Sequence, residues 1–197
     1  MAPAVLEKPI QMWTFERFLE EGPEKAELVD GELFEMAGVS ERHDRIQYMT
    51  RTALEIFCER TAFGVVRGEI FAMSIDDRSA PMPDIHVYSA SRQSQLHERY
   101  AEAPADLAIE IVSPSNRGVD FGRKLELYER VGVREFWFVD PERRTGTYYR
   151  MTEAGMFQGF RVNAEGRVAS IAVPGFEIPE VWLFDPPTLV EILTLQS

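Results

Sequence analysis

Three charged residues in this chain occupy positions whose neighbours are those of a buried core. Asp84 lies in the strand-like run Met82-Pro83-Asp84-Ile85-His86-Val87-Tyr88. Glu110 lies in a second run, Asp106-Leu107-Ala108-Ile109-Glu110-Ile111-Val112. Lys124 falls on the apolar side of the helix expected to follow. A buried charge is costly unless it is paired or holds a metal. Any fold this chain adopts must therefore bring these groups to one another or to a ligand. Two carboxylates from strands and a lysine from a helix form the pattern of a divalent-metal hydrolytic site.

Alternation in a strand assigns the faces. Met82, Asp84, His86 and Tyr88 share one face of the first run, and Ala108, Glu110 and Val112 share one face of the second. If the strands are neighbours, Asp84 and Glu110 can point to the same side. Two carboxylates that close repel unless a cation lies between them. Hard oxygen ligands suit Mg²⁺, or Mn²⁺ in its place. On the helix, Phe121, Leu125, Tyr128 and Val131 form the apolar stripe, and Lys124 falls between Tyr128 and Val131 on the wheel. A lysine there must snorkel or meet an anion. Such an ammonium can orient an attacking water or stabilise charge building on phosphorus.

The rest of the chain reads as one layered α/β or α+β domain spanning 1–197. A short helix over 12–21 has Thr14 as its N-cap and Gly22-Pro23 as its stop. Asp30-Gly31 joins two short strands as a hairpin, with Glu27 and Glu32 as surface charges. Ser40 caps a helix to about residue 60, on which His43, Ile46, Thr50, Ala53, Leu54 and Phe57 share the inner face. A strand covers 63–73, strands follow at 82–88 and 106–112, and the Ser113-Pro114-Ser115-Asn116 turn breaks the last of them. A helix from 120 stops at Gly132, a buried strand covers 134–139, and runs at 147–151, 157–162 and 168–173 form an antiparallel meander. The order of elements predicts helices covering a mixed sheet.

Charge and cysteine content narrow the function. The net charge is −12, with nine acids against three bases in residues 1–35 and six acids against eight bases in 113–150. An acidic chain is a poor prior for nucleic-acid binding, and the locally basic stretch around Lys124 softens that objection without removing it. The single Cys58 excludes an intrachain disulfide, and with three histidines it gives no zinc framework. No run approaches a membrane span of about 20 apolar residues. The first eight residues carry no signal-peptide pattern, so a cytoplasmic protein with no membrane association is expected.

Several of these stretches resemble the Uma2 restriction-endonuclease family. They are Pro83-Asp84, the run from Asp106 to Ser115, Lys124-Leu125-Glu126-Leu127-Tyr128, and Gly132-Val133-Arg134-Glu135-Phe136-Trp137-Phe138-Val139-Asp140-Pro141. Glu27-Leu28-Val29-Asp30-Gly31-Glu32-Leu33 resembles that family's N-terminal hairpin, and His43 its helix histidine. The resemblance covers roughly 12–185. It implies the PD-(D/E)xK nuclease fold, with an N-terminal helix and hairpin over 12–36, a nuclease-like core over 40–141 and the meander over 145–185. It also implies that Asp84 and Glu110 bind Mg²⁺, that the Ile111 backbone carbonyl is a third ligand, and that Lys124 is the catalytic lysine. The superfamily usually places that lysine two residues after the acid, where this chain has Val112; the family places it on the next helix. A histidine at a helix start such as His43 reads either as a packing or capping residue or, by the resemblance, as an auxiliary polar group of the site. The reaction implied is Mg²⁺-dependent hydrolysis of DNA by a homodimer. Two alternatives stand beside it: a catalytically silent nuclease-fold binding or regulatory module, and a metal-dependent phosphoesterase acting on a substrate other than DNA.

Overall fold

A six-stranded mixed sheet carries the molecule, and the three long apolar runs of the sequence are its central strands. The computed structural model describes residues 12–35, 38–68, 70–112 and 120–195. In chain order the elements are α1 (Phe15–Glu21), β1 (Ala26–Val29), β2 (Glu32–Glu35), α2 (Glu41–Thr61), β3 (Gly64–Gly68), β4 (Ala72–Met73), β5 (Ile85–Ser89), β6 (Tyr100–Ala101) and β7 (Leu107–Ile111). Then follow α3 (Asp120–Val131), β8 (Glu135–Asp140), β9 (Thr145–Met151), β10 (Phe157–Phe160), β11 (Arg167–Ala169), β12 (Glu177–Pro179) and α4 (Leu189–Leu195). The sheet order is β10-β9-β8-β7-β5-β3. β7 and β8 run parallel and the other neighbours antiparallel. A parallel pair needs a crossover, and the segment from β7 to β8 that contains α3 supplies it.

The central strands are buried on both faces, which is why they read as nearly continuous apolar runs. Ile85, Val87, Leu107, Ile109, Ile111, Trp137 and Val139 pack against Ile46, Ala53, Leu54 and Cys58 of α2. Tyr88, Ala108 and Phe136 face the other way and pack with Leu127 and Tyr128 of α3. The predicted inner face of α2 is the buried one, and the Ser40 side chain accepts the His43 N–H at 3.2 Å as its N-cap. Thr14 caps α1 in the same way. Asp30 and Gly31 both take left-handed φ values, 50° and 84°, as a two-residue hairpin turn requires. Among the described residues no helix is long and apolar enough to cross a membrane.

Four details differ from the sequence reading. The run over 63–73 is two strands, because β3 ends at Gly68 and β4 leaves the sheet to pair with β6. β5 starts at Ile85 rather than at residue 82, because Pro81 and Pro83 lack the N–H a ladder needs. In the meander, β9 and β10 extend the central sheet, but β11 pairs with β12. The buried line of α3 is centred on Lys124, Leu127 and Tyr128, with Phe121 and Leu125 only half-buried. The readings made on residues 1–8, Met36 and Ser113 to Asn116 lie outside the described residues.

His86, on β5, is wholly buried; its ring nitrogens lie 3.0 Å from the Tyr88 hydroxyl and 3.3 Å from the Gly68 carbonyl. Burial pulls its pKa from 6.5 down to about 3. The folded chain therefore binds fewer protons than the unfolded one between those values, and stability falls as pH drops through that window. Urea unfolding of wild type and His86→Gln checks this. Between pH 7 and pH 5 the wild type loses about 2 kcal/mol more than the variant.

Candidate active site

The path of the chain into β5 determines what Asp84 can do. The β5–β7 ladder begins at the Ile85–Ile109 pair, so the N–H of Ile111 lies beyond its last rung. The Asp84 carboxylate fills that place: Oδ2 accepts the Ile111 N–H at 2.6 Å. His43 Nε2, from the first turn of α2, lies 3.3 Å from the same oxygen. One turn further along α2, Gln47 donates to the Asp84 main-chain carbonyl at 2.9 Å. Asp84 is thus held by its carboxylate and its backbone. Its other oxygen, Oδ1, takes no hydrogen bond among the described residues.

Glu110 precedes Ile111 and turns to the α3 face of the sheet. Lys124 and Tyr128 stand one helical turn apart, which puts both side chains on one face of α3. Both reach Glu110 Oε1, the Lys124 ammonium at 2.9 Å and the Tyr128 hydroxyl at 2.5 Å. A buried carboxylate in such a setting persists only with partners of this kind. The two half-sites meet at adjacent residues, since Glu110 offers its side chain to α3 and Ile111 offers its backbone to Asp84. Asp84, Glu110, Lys124 and His43, all singled out in the sequence, are buried at the same end of β5 and β7.

Sequence reasoning missed three participants. Glu27, predicted to be a surface charge, is buried, and its Oε2 lies 3.6 Å from the Lys124 ammonium. The same oxygen accepts the Met82 N–H at 3.4 Å. The hairpin that carries Glu27 lies along α3, with the Arg123 guanidinium over the Phe34 ring at 3.5 Å and Arg130 on Asp30 at 2.8 Å. Glu32 on the same hairpin is exposed, as expected. Tyr128 falls on the predicted apolar stripe; its spacing of four from Lys124, and the need of a buried hydroxyl for a partner, are the signals for its polar role. Gln47 left no signal beyond its place beside Ile46 on the inner side of α2.

Asp84 and Glu110 bring hard carboxylate oxygens, and the main chain at Ile111 contributes its N–H to Asp84. Among the described residues no three His, Cys, Asp or Glu side chains form a complete metal-holding group. Mg²⁺ keeps several waters and binds through one or two carboxylates plus substrate phosphates, so carboxylate oxygens are the protein groups it asks for. The residues present therefore fit a Mg²⁺ or Mn²⁺ site.

Comparison with known proteins agrees with this architecture. The family model Uma2, described as "Putative restriction endonuclease", matches residues 13–181. Among solved structures, the chain is similar to the crystal structure of a putative nuclease belonging to DUF820 from Anabaena variabilis ATCC 29413, with a TM-score of 0.74 and 19% identity. That match covers 87% of this chain and 97% of the other. Identity that low shows the shared fold alone. No curated protein matches.

Tyr128→Phe tests whether the hydroxyl supports Glu110. The variant loses about 1.5–3 kcal/mol of unfolding free energy, the range for a hydrogen bond to a charged group. Unchanged denaturant midpoints would show that the bond contributes nothing.

Proposed function

The chain belongs to the Uma2 family, and from that premise we propose that it is a Mg²⁺-dependent endonuclease that hydrolyses DNA phosphodiester bonds. The observation that supports this most is the buried contact of Lys124 with Glu110, one residue away from the backbone that holds Asp84. In this reading Asp84, Glu110 and the Ile111 carbonyl hold the cation. When bound, it lowers the pKa of a coordinated water and draws charge from the phosphoryl oxygens.

The chain's own groups do the rest. His43 and the Ile111 N–H fix the Asp84 carboxylate, and Tyr128 fixes that of Glu110, so both are oriented before a substrate arrives. Lys124 is the one cationic side chain among the residues assigned to the reaction. Its ammonium positions the attacking water and stabilises charge at phosphorus. Gln47 ties the site to an open cleft of about 370 Å³ that Tyr48, Arg51 and Phe71 also line.

The net charge of −12 favours a second reading, in which the same site acts on a phosphoester other than DNA. Phosphate contacts supply most non-specific DNA affinity, and this surface as a whole works against them.

Thermal melting with MnCl₂ and plasmid nicking test these readings together. At about a hundredfold excess over Kd, linkage supplies about 2.7 kcal/mol, roughly 5–10 °C in Tm for a chain of this size. Asp84→Ala removes that shift. Lys124→Ala keeps it and abolishes nicking. A wild type whose Tm ignores Mn²⁺ would contradict the metal reading; Mn²⁺ binding without nicking of any DNA would favour the second substrate class.

A further inference from the structure

The Lys124 ammonium lies between two buried carboxylates. It is 2.9 Å from Glu110 Oε1 and 3.6 Å from Glu27 Oε2. The side chains of Lys124, Glu27 and Glu110 are 10%, 11% and 8% exposed, so water screens them weakly. In the function proposed above, Glu110 is also a metal ligand. An ammonium and a divalent cation then compete for one carboxylate, and like charges at this range repel strongly in a buried setting. A lysine held only by Glu110 would either weaken the metal or be driven from the site.

Glu27 offers a way out. It comes from β1, outside the central sheet, and its Oε2 also accepts the Met82 N–H just before Pro83-Asp84. One carboxylate is therefore in contact with the segment that carries the first proposed metal ligand and with the lysine that crowds the second. A sub-ångström shift on the flexible lysine stem would bring Nζ to hydrogen-bonding distance of Glu27. We propose that Glu27 is a positioning residue: it takes up the Lys124 ammonium as a divalent cation claims Glu110, so the hairpin carboxylate sets metal affinity and keeps the lysine in the site. This rests on the metal reading of Asp84 and Glu110.

The test is a calorimetric titration of the full chain with MnCl₂. The proteins are wild type, Glu27→Gln, Lys124→Met and the double variant. Glu27→Gln keeps an acceptor for the Met82 N–H, and its melting temperature without metal reports whether the fold is intact. It raises the Mn²⁺ Kd about tenfold, within the usual range of coupling between contacting residues. Lys124→Met binds Mn²⁺ at least as tightly as wild type. In that background Glu27→Gln changes the Kd less than twofold, because the competing ammonium is gone. Glu27→Asp, which keeps the charge with a shorter reach, lies between wild type and Glu27→Gln, and it carries the comparison if Glu27→Gln fails to fold. Weakening of equal size with and without Lys124 would mean a merely structural or through-space role and overturns the proposal. So would an unchanged Kd in Glu27→Gln. A wild type that binds no Mn²⁺ overturns the metal reading itself and this proposal with it.

Discussion

A lysine and a glutamate buried together 2.9 Å apart are the constraint around which this end of the fold is arranged. Removing one partner of such a pair leaves an uncompensated buried charge and costs about 3–5 kcal/mol. The pair forms because β7 and β8 are parallel, so the chain must cross over one face of the sheet between them. α3, in that crossover, aims Lys124 and Tyr128 at the α3-facing side of β7, where alternation has placed Glu110. The hairpin then closes over α3 with Glu27. Asp84 is added at the point where the β5 ladder gives out and a main-chain N–H needs an acceptor. Glu110 and Glu27 thus stand at 2.9 and 3.6 Å from the Lys124 ammonium, and Asp84 is held by the N–H of Ile111, next to Glu110.

Buried charge alone does not mark a site. Asp106 is almost fully buried at the start of the same strand run, yet it accepts the Ser89 N–H and pairs with Arg92 and Arg134. Glu135 is fully buried on β8 and accepts the Trp137 indole N–H and the N–H groups of Ile171 and Ala172. Burial pushes its pKa up, against the pull of those donors. Both carboxylates hold the fold together with ordinary donors. Glu110 differs in that its partners are a lysine and a tyrosine on one helix face, beside a second carboxylate held by the neighbouring peptide.

The features legible in the sequence were those written in local spacing. The α2 face, the Ser40 and Thr14 caps and the Asp30-Gly31 turn all follow from residues within a few positions of one another. Lys124 stood out because an ammonium interrupts a helical stripe, and Glu110 because a carboxylate interrupts an apolar strand. What the sequence hid depends on packing between distant segments. All four residues of β1 are buried. Ala26 and Leu28 pack with Phe18 of α1, whereas Val29, on the Glu27 side, joins the cluster of Leu127 and Tyr128. A four-residue strand beside a turn gives no local sign that both faces are covered, so Glu27 read as solvated. The pairing of β11 with β12 rather than β10 is hidden for the same reason: short strands with weak alternation do not specify their neighbour.

The central claim is that Asp84 and Glu110 hold one divalent cation with Lys124 beside it. Anomalous diffraction from crystals soaked in MnCl₂ tests it most directly. The account predicts a single strong peak about 2.0–2.3 Å from carboxylate oxygens of both Asp84 and Glu110, with the Lys124 ammonium still in the site. A peak elsewhere, or no peak with Lys124 unmoved on Glu110, would contradict it.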